Sequence, residues 1–510
     1  MRLQDLITDI QPEHVSGPPV ADISAVTYDS RAVRPGSLFV AYRGFHADGH
    51  AYIEQALDRG AAAVVYEDAG WDNRLSVPAV RVPNGRVALA PIAAAFYGHP
   101  ARQMRVVGIT GTDGKTTTTY LASVALEAGG TVTGLMGTVD FKVAGRQWAN
   151  DSRQSTPEAP EVQALLRDMV EEGCGHAVLE ATSHALSARW QRLRGCAFDV
   201  AVLTNVTREH LDFHGTVEQY RRDKARLFEM LGEYGAGDLK RRKIAVVNAD
   251  DPHHRMFLDA APASAERLTY AVHTPADVRA LDVRASRDGL AFRLVTPWGE
   301  AAPRLRLTGD FNVHNSLAAL TVACAEGVPL DACVEALERV PGVRGRMERV
   351  EAGQPFTVLV DYAHTPGAFT KVFGIVRPLT KGKLIAVFGS AGERDREKRP
   401  IQGEIAGRAC GLVVITDEDP RLEDSRTIID EIAAGVERAG LREGLGYLKV
   451  PDRAQAIREA FARARPGDIV VLLGKGHEGS IIVGTEKTPW DEAGEARAAL
   501  AEMGYGDGEG

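Results

Sequence analysis

Short runs of consecutive apolar residues recur along this chain, and a burst of polar, chemically versatile residues closes each one. In the middle of the chain the runs are Arg105–Ile109, His176–Leu179, Asp199–Leu203 and Ile244–Val247. They lack apolar/polar alternation, and helical patterns separate most of them. This predicts parallel strands covered on both faces. Gly111–Thr117, Glu180–His184, Thr204–His210 and Asn248–Asp251 follow these runs directly. Open parallel sheets bind ligands outside the carboxyl ends of their strands, so the four clusters predict one shared site. The pattern returns later: Thr357–Val360 before Asp361–Pro366, Leu384–Phe388 before Gly389–Asp395, Leu412–Ile415 before Thr416–Arg421, and Ile469–Leu473 before Gly474–Glu478. Near the start, Ser37–Ala41 and Ala61–Tyr66 read as strands with a helix over Tyr52–Arg59 between them.

A break at Gly98-His99-Pro100 and an opening at Pro341–Arg346 divide the 510 residues into about three domains, over 1–103, 104–338 and 339–510. The expected fold class is α/β: a small N-terminal α/β domain, a central P-loop-type ATPase domain on a mostly parallel sheet, and a C-terminal Rossmann-like domain. Gly504–Gly510 reads as a disordered tail. The net charge of −9 argues against nucleic acid as the main partner. No run approaches roughly 18 apolar residues, so no membrane span is expected. Met1–Asp5 lacks the basic-then-apolar form of a signal peptide. Cys174, Cys196, Cys324, Cys333 and Cys410 form no C-x-x-C pair. They read as buried thiols of a cytoplasmic protein.

The sharpest chemical signal is Gly108-Ile109-Thr110-Gly111-Thr112-Asp113-Gly114-Lys115-Thr116-Thr117, set between an apolar run and a helical pattern. Glycines let backbone N–H groups close on phosphates, and a helix N-terminus adds partial positive charge. Lys115 would reach the outer phosphates and Thr116 would offer a hydroxyl to Mg²⁺. The spacing is one residue off the strict phosphate-loop form, because Ile109 sits where the first glycine belongs. Glu180 and His210, read as ending two neighbouring strands, suggest Mg²⁺ ligation beside a triphosphate; for His210 alone a structural role is the plainer reading. From pattern alone Lys224, in Tyr220–Phe228, belongs to a solvated basic helix face. Arg394, Lys398 and Arg399 form either an anion site or a solvated turn. Arg421, after Asp417-Glu418-Asp419-Pro420, either neutralises its acidic neighbours or grips a ligand carboxylate.

Taken together, the motifs resemble the Mur ligases, the ATP-dependent amide-forming enzymes of peptidoglycan precursor synthesis. The resemblance spans nearly the whole chain and keeps motif order, from Asp29-Ser30-Arg31 and His46-Ala47-Asp48-Gly49 through Gly111–Thr117, Glu180–His184, Thr204–Gly215 and Tyr220–Phe228. It continues through Gly309–Asn315, Gly345–Glu348, Asp361–Pro366, Gly392–Pro400, Asp417–Arg421 and Gly474–Glu478. The first two and the last point to the member that adds the third residue of the peptide. The resemblance implies that the γ-carboxylate of D-glutamate in UDP-MurNAc-L-Ala-D-Glu attacks ATP. An acyl phosphate forms, and the amine of a diamino acid then displaces phosphate. Two Mg²⁺ and Lys115 would offset the repulsion between carboxylate and triphosphate.

Residue by residue, the resemblance implies that Lys115, Lys224, His210 and Glu180 are catalytic. Gly111, Thr112, Asp113, Gly114, Lys115, Thr116, Thr117, Asn312, Arg346 and Asp361 would bind ATP. Thr116, Glu180 and His210 would hold Mg²⁺, together with Lys224 as a CO₂-derived carbamate. A carbamylated lysine must be neutral when it reacts, hence lowered in pKa; this reverses the pattern-only reading of Lys224. Ser30, His46, Ala47, Ser155, Thr156 and Thr182 would contact UDP-MurNAc-dipeptide. The arginine expected after His184 falls out of register: Trp190 takes its place, leaving Arg189 and Arg192 as candidates. Asp113 stands where Asn is common, and Thr182 where Ser is. Arg394, Asp419, Pro420, Arg421, Gly474 and Glu478 would bind the amino acid. Arg421 favours meso-diaminopimelate, whereas Asp419, standing where that specificity has Asn, and Glu478 suit the amine of L-lysine or L-ornithine. The reading taken is meso-diaminopimelate, with a monomer acting on small molecules. The alternatives are a folylpolyglutamate- or cyanophycin-type ligase of the same fold, a degenerate nucleotide-binding module, or a P-loop transport or signalling ATPase. The front unit opposes the first and the retained Lys115, Glu180, His210 and Lys224 oppose the second.

Overall fold

The computed structural model describes residues 1–44, 47–150, 152, 154–233, 242–286 and 288–506. The chain divides into two compact units. The first comprises Met1–Arg279, Val295–Glu300 and His314–Val334, and the second Ala280–Leu294, Ala301–Val313 and Glu335–Gly510.

The first unit contains two sheets. The front sheet runs His14–Ser16, Ala79–Arg81, Ala63–Tyr66, Ser37–Val40, Ala25–Thr27, parallel except for the first pair. Its strands alternate between two cores: Leu38, Val40, Ala63 and Val65 face one, and Phe39, Val64 and Tyr66 the other. The expected strands and intervening helix are present, the helix beginning at Ile53 after a turn of 3₁₀ structure. The larger sheet places Arg105–Thr110 at its centre, between His176–Glu180 on one side and Val200–Leu203 on the other. Ile244–Asn248 and Glu266–Ala271 extend it in parallel beyond Val200–Leu203. The four expected buried runs are four of these strands. Beyond Thr133–Met136, on the other side, an antiparallel ribbon Asp140–Val143/Arg146–Ala149 closes the edge.

The strand order corrects one expectation. The strands preceding Glu180 and His210 are not neighbours, because Arg105–Thr110 lies between them. His210 does not end a strand; it lies beyond Leu203, with φ +52°, and heads the short helix Leu211–His214. Placing the phosphate-loop strand between them aims both segments at the loop.

In the second unit the sheet runs Glu348–Val350, Thr357–Asp361, Ile469–Leu473, Leu384–Phe388, Leu412–Ile415, Tyr447–Lys449, parallel after the first pair. Each buried run serves two cores in alternation. Leu359, Ala386, Phe388, Val413, Ile415, Val471 and Leu473 face one, and Val358, Val360, Ile385, Val387, Val414, Val470 and Leu472 the other. Continuous apolar strands are what a sheet with helices on both faces requires. Of the expected disordered tail, Tyr505 instead packs against Phe356, with ring centroids 6.3 Å apart, and residues 507–510 lie outside the described residues.

Candidate active site

The glycine-rich loop Gly111–Thr117 owes its shape to its glycines. Gly111 has φ +152° and Gly114 φ +84°; a Cβ at Gly111 would lie 1.8 Å from Thr204 Oγ1, and one at Gly114 2.3 Å from Asn315 Oδ1. Residues after the adjacent strand clamp the loop. Thr112 N donates to Asn205 O at 2.8 Å and Asp113 N to Asn205 Oδ1 at 3.1 Å, while Thr204 Oγ1 donates to Asp113 O at 2.6 Å. The helix Lys115–Glu127 starts at the loop's last turn, with Thr116 and Thr117 in it. Lys115 Nζ folds back and donates to Gly111 O at 3.0 Å and Thr112 O at 2.7 Å.

Lys224 is not on a solvated face. It is 1% exposed, and its Nζ donates to Gly111 O at 2.6 Å. Burial, reinforced by the charge of Lys115, holds its amine well below the usual lysine range. The helix Val217–Glu229 thus delivers an amine to the underside of the phosphate loop. Glu180 is fully buried; Oε1 accepts from Thr138 N and Oε2 from the Thr138 hydroxyl, each at 2.8 Å. That hydroxyl also lies 2.8 Å from Ser155 Oγ. Thr156 Oγ1 donates to Glu180 O at 2.8 Å and receives the Thr182 hydroxyl at 3.1 Å.

Lys115, Lys224, His210, Ser155, Thr156, Thr182 and Arg192 line one cavity of about 400 Å³. Gln154, Ser183, His184, Trp190 and Tyr220 complete it; Ser183 and His184 belong to the Glu180–His184 cluster expected at the shared site, and no sequence signal gave the other three a ligand role. The structure separates the two candidate arginines. Arg189 is exposed and reaches Phe213 O at 3.4 Å, whereas Arg192 is buried in the cavity wall, bonded to Glu158 Oε1 at 2.5 Å and Thr156 O at 3.0 Å. Two guanidinium groups approach the Trp190 ring, Arg86 at 4.1 Å and Arg192 at 4.3 Å from its centroid, and Glu158 Oε1 accepts from both arginines. Ser30, whose hydroxyl donates to Gln55 Oε1 at 2.7 Å, and the exposed Ala47 do not line this cavity. His46 lies outside the described residues.

Among the described residues no group of His, Cys, Asp or Glu forms a ready-made metal cage. Glu180, His210 and Thr116 nonetheless suit Mg²⁺, which keeps waters and takes one or two carboxylates plus phosphate oxygens. Each Glu180 oxygen accepts one hydrogen bond and retains further acceptor capacity.

The second unit carries the remaining candidates. Asn312 is buried and donates through Nδ2 to Thr308 O at 2.8 Å. Asp361 accepts from Met347 N and Ala363 N, both at 2.8 Å, and the Arg346 guanidinium lies 5.1 Å from the Tyr362 ring centroid. Asp419 is buried against the chain's own cation: Oδ1 accepts from Lys475 Nζ at 2.9 Å and from Ile482 N at 3.0 Å. Lys475 also meets Glu478 Oε2 at 2.7 Å. Arg421 sits at φ +55°, its N–H bonded to Ile482 O at 3.0 Å, and its buried Nε has no partner among the described residues. Gly474, at φ +101°, faces Glu418, whose Oε2 is buried without a partner and whose carboxyl burial pushes up. Arg394, Lys398 and Arg399 do not act as one basic cluster. Arg394 is exposed, Lys398 donates to His364 O at 3.1 Å, and Arg399 is fully buried in ion pairs with Glu423 and Glu431 at 2.9 and 2.7 Å.

The chain matches the Mur ligase family catalytic domain over residues 22–97, the Mur ligase middle domain over 109–323 and the Mur ligase glutamate ligase domain over 345–476. It is 76% identical over 510 residues to the UDP-N-acetylmuramyl-tripeptide synthetase of Roseiflexus sp. (strain RS-1), covering 99% of this chain and 100% of that one. The chain belongs to the Mur ligase family. Another relative is the UDP-N-acetylmuramoyl-L-alanyl-D-glutamate–2,6-diaminopimelate ligase of Geobacter metallireducens, 42% identical over 518 residues and 99% of both chains. A solved structure of a ligase with the same name superposes with a TM-score of 0.69 at 30% identity, covering 99% of each chain. The three-domain, mostly parallel α/β architecture is that of this family of ATP-dependent ligases. No helix of the described residues is long and apolar enough to cross a membrane.

Proposed function

We propose that this Mur ligase joins meso-diaminopimelate to UDP-MurNAc-L-Ala-D-Glu at the expense of ATP, as a cytoplasmic monomer with domains over 1–103, 104–338 and 339–510. The observation that carries the reading is the cavity in which Lys115, Lys224, His210, Thr156, Thr182 and Arg192 converge. In this reading the Gly111–Thr117 loop holds the ATP phosphates, with Asn312, Arg346 and Asp361 contributing to the nucleotide. Lys115 leaves its two loop carbonyls for the outer phosphates. The substrate carboxylate then meets a less repulsive γ-phosphorus, and the acyl phosphate forms as the β–γ bond breaks and ADP leaves. Ser30, His46, Ala47, Ser155, Thr156, Thr182 and Arg192 hold the UDP-MurNAc-dipeptide. Bound by Thr116, Glu180, His210 and a carbamate on Lys224, Mg²⁺ ions would neutralise the phosphate charge. Lys224 suits that modification because burial favours its neutral, nucleophilic amine.

The choice of amino acid rests on Asp419 and Arg421. Lys475 already engages Asp419, which disfavours Asp419 as a reader of a substrate amine. The buried Nε–H of Arg421 has no partner among the described residues, as suits a carboxylate clamp. Gly474, Glu478 and Arg394 complete this subsite. The test is phosphate release and product mass with UDP-MurNAc-L-Ala-D-Glu, ATP and Mg²⁺, supplying meso-diaminopimelate, L-lysine and L-ornithine separately. A diaminopimelate-containing tripeptide is expected. A lysine or ornithine product alone would overturn the specificity, and no product with any of the three would overturn the reaction.

A further inference from the structure

A cavity-lining side chain, Ser183, and two buried behind it, His214 and Asp223, form a relay that the proposed reaction leaves unused. His214 Nδ1 lies 2.7 Å from Asp223 Oδ2, and His214 Nε2 lies 3.0 Å from Ser183 Oγ. Asp223 Oδ1 accepts from Gln219 Nε2 at 3.1 Å. The Thr216 hydroxyl caps the helix that carries Gln219 and Asp223, so one helix turn holds the carboxylate in place. The His214 side chain has no solvent exposure and packs among the rings of His184, Phe213 and Tyr220. Ser183 opens onto the cavity.

Asp223 Oδ2 faces Nδ1 as a hydrogen-bond acceptor, and Nε2 faces the Ser183 hydroxyl. This arrangement suits an imidazole proton on Nδ1 and a lone pair on Nε2. That lone pair can only accept, so the Ser183 hydroxyl donates its one proton to it. The Ser183 hydroxyl then keeps only acceptor lone pairs for a further partner. Resting on the ligase reading above, we propose that Asp223 is a positioning residue that polarises Ser183 through His214, and that Ser183 receives an amide N–H of the substrate's peptide. A cationic donor fits poorly, because Lys115 and Arg192 line the same cavity and would repel it.

The experiment has two arms on the full-length protein. In the first, ¹⁵N-histidine labelling and long-range ¹H–¹⁵N correlation read the His214 tautomer, with its signals assigned by their loss in His214→Gln. The Nδ1–H form is expected in the wild type and in Asp223→Asn, and its loss in Asp223→Ala. A wild-type His214 that is protonated on Nε2 would overturn the proposal whether or not the ligase reading holds. In the second arm, ester analogues of UDP-MurNAc-L-Ala-D-Glu replace each of the two amide N–H groups of its peptide, lactoyl–Ala and Ala–Glu, in turn with oxygen. Ser183→Ala should raise KM for the natural substrate about five- to tenfold with kcat and KM for ATP held, and Asp223→Ala should follow it. One ester should weaken the wild type by a similar factor and Ser183→Ala no further. If both esters weaken the two proteins equally, Ser183 reads no amide. If the wild type turns over no natural substrate, the ligase reading fails while the tautomer result stands.

Discussion

Glu326 ties together the starts of the two strands that lead to the phosphate loop and to Glu180. Arg105, which opens one strand, donates through Nε to Glu326 Oε2 at 2.8 Å and through Nη2 to Oε1 at 2.5 Å. His176, which opens the other, lies 3.1 Å from Oε2. Burial alone would push the Glu326 carboxyl up, but the hydrogen bonds and charges of His176 and Arg105 outweigh it and bring it from 4.5 down to about 2. At about 1.4 kcal/mol per tenfold, that drop amounts to about 3 kcal/mol of folding stability. With its side chain only 6% exposed, solvent screens little of this. Breaking a buried ion pair costs about 3–5 kcal/mol. Glu326→Gln belongs at the low end, because Arg105 keeps Asp199 Oδ1 at 3.2 Å. The depressed acid stabilises the fold above its unfolded pKa, and the effect fades as pH falls through the folded one. Urea unfolding of wild type and Glu326→Gln at pH 7 should therefore differ by about 3 kcal/mol, and the gap should close between about pH 5 and 2. A gap below about 1 kcal/mol at pH 7, or one that does not shrink on acidification, would refute the reasoning.

Gly111→Ala places a methyl group 1.8 Å from Thr204 Oγ1 and should raise the ATP dissociation constant about tenfold or more by calorimetry; a change within about twofold counts against the loop geometry. Trp190→Ala removes the ring that both Arg86 and Arg192 contact, worth roughly 0.5–2 kcal/mol per contact. Steady-state kinetics should show a higher KM for the muramoyl nucleotide and an unchanged KM for ATP. Lys224→Met should lower kcat by about a hundredfold or more in a phosphate-release assay. It should also flatten stability against pH. The unfolded wild type binds the proton that buried Lys224 rejects, so wild-type stability falls as pH drops below about 10, and the Met variant lacks that slope in urea titrations.

Much of this architecture is legible in the chain. Continuous apolar runs such as Ile469–Leu473 and Leu384–Phe388 can only sit between two covered faces, and the structure buries them fully. The ribbon Asp140–Val143/Arg146–Ala149 escaped notice because it is a half-exposed edge whose apolar residues are interspersed with polar ones rather than forming a run. Strand order is invisible to local pattern, which is why Glu180 and His210 read as ends of neighbours. Charge was the hardest to place. Lys224 and Arg399 sit in strongly polar stretches, yet both are buried, one on a loop carbonyl and the other between two glutamates. Asp419 looked free to meet a ligand, but Lys475, 56 residues away, engages it. The Arg86–Glu158–Arg192 cluster spans similar separations. Such partners are fixed by topology, so composition can suggest the cavity's chemistry but not which charges remain for a ligand.

The inward fold of Lys115 bears on how the site meets its first ligand. Nζ is held by Gly111 O and Thr112 O, so under the proposed function nucleotide arrival would be an exchange of acceptors. Two neutral oxygens are traded for charged ones, so the binding enthalpy is a difference between two satisfied states. The internal carbonyls compete for the cation, and weakly basic anions should be poor competitors for it. The loop thereby discriminates a polyphosphate from simple salt before any base or sugar is read.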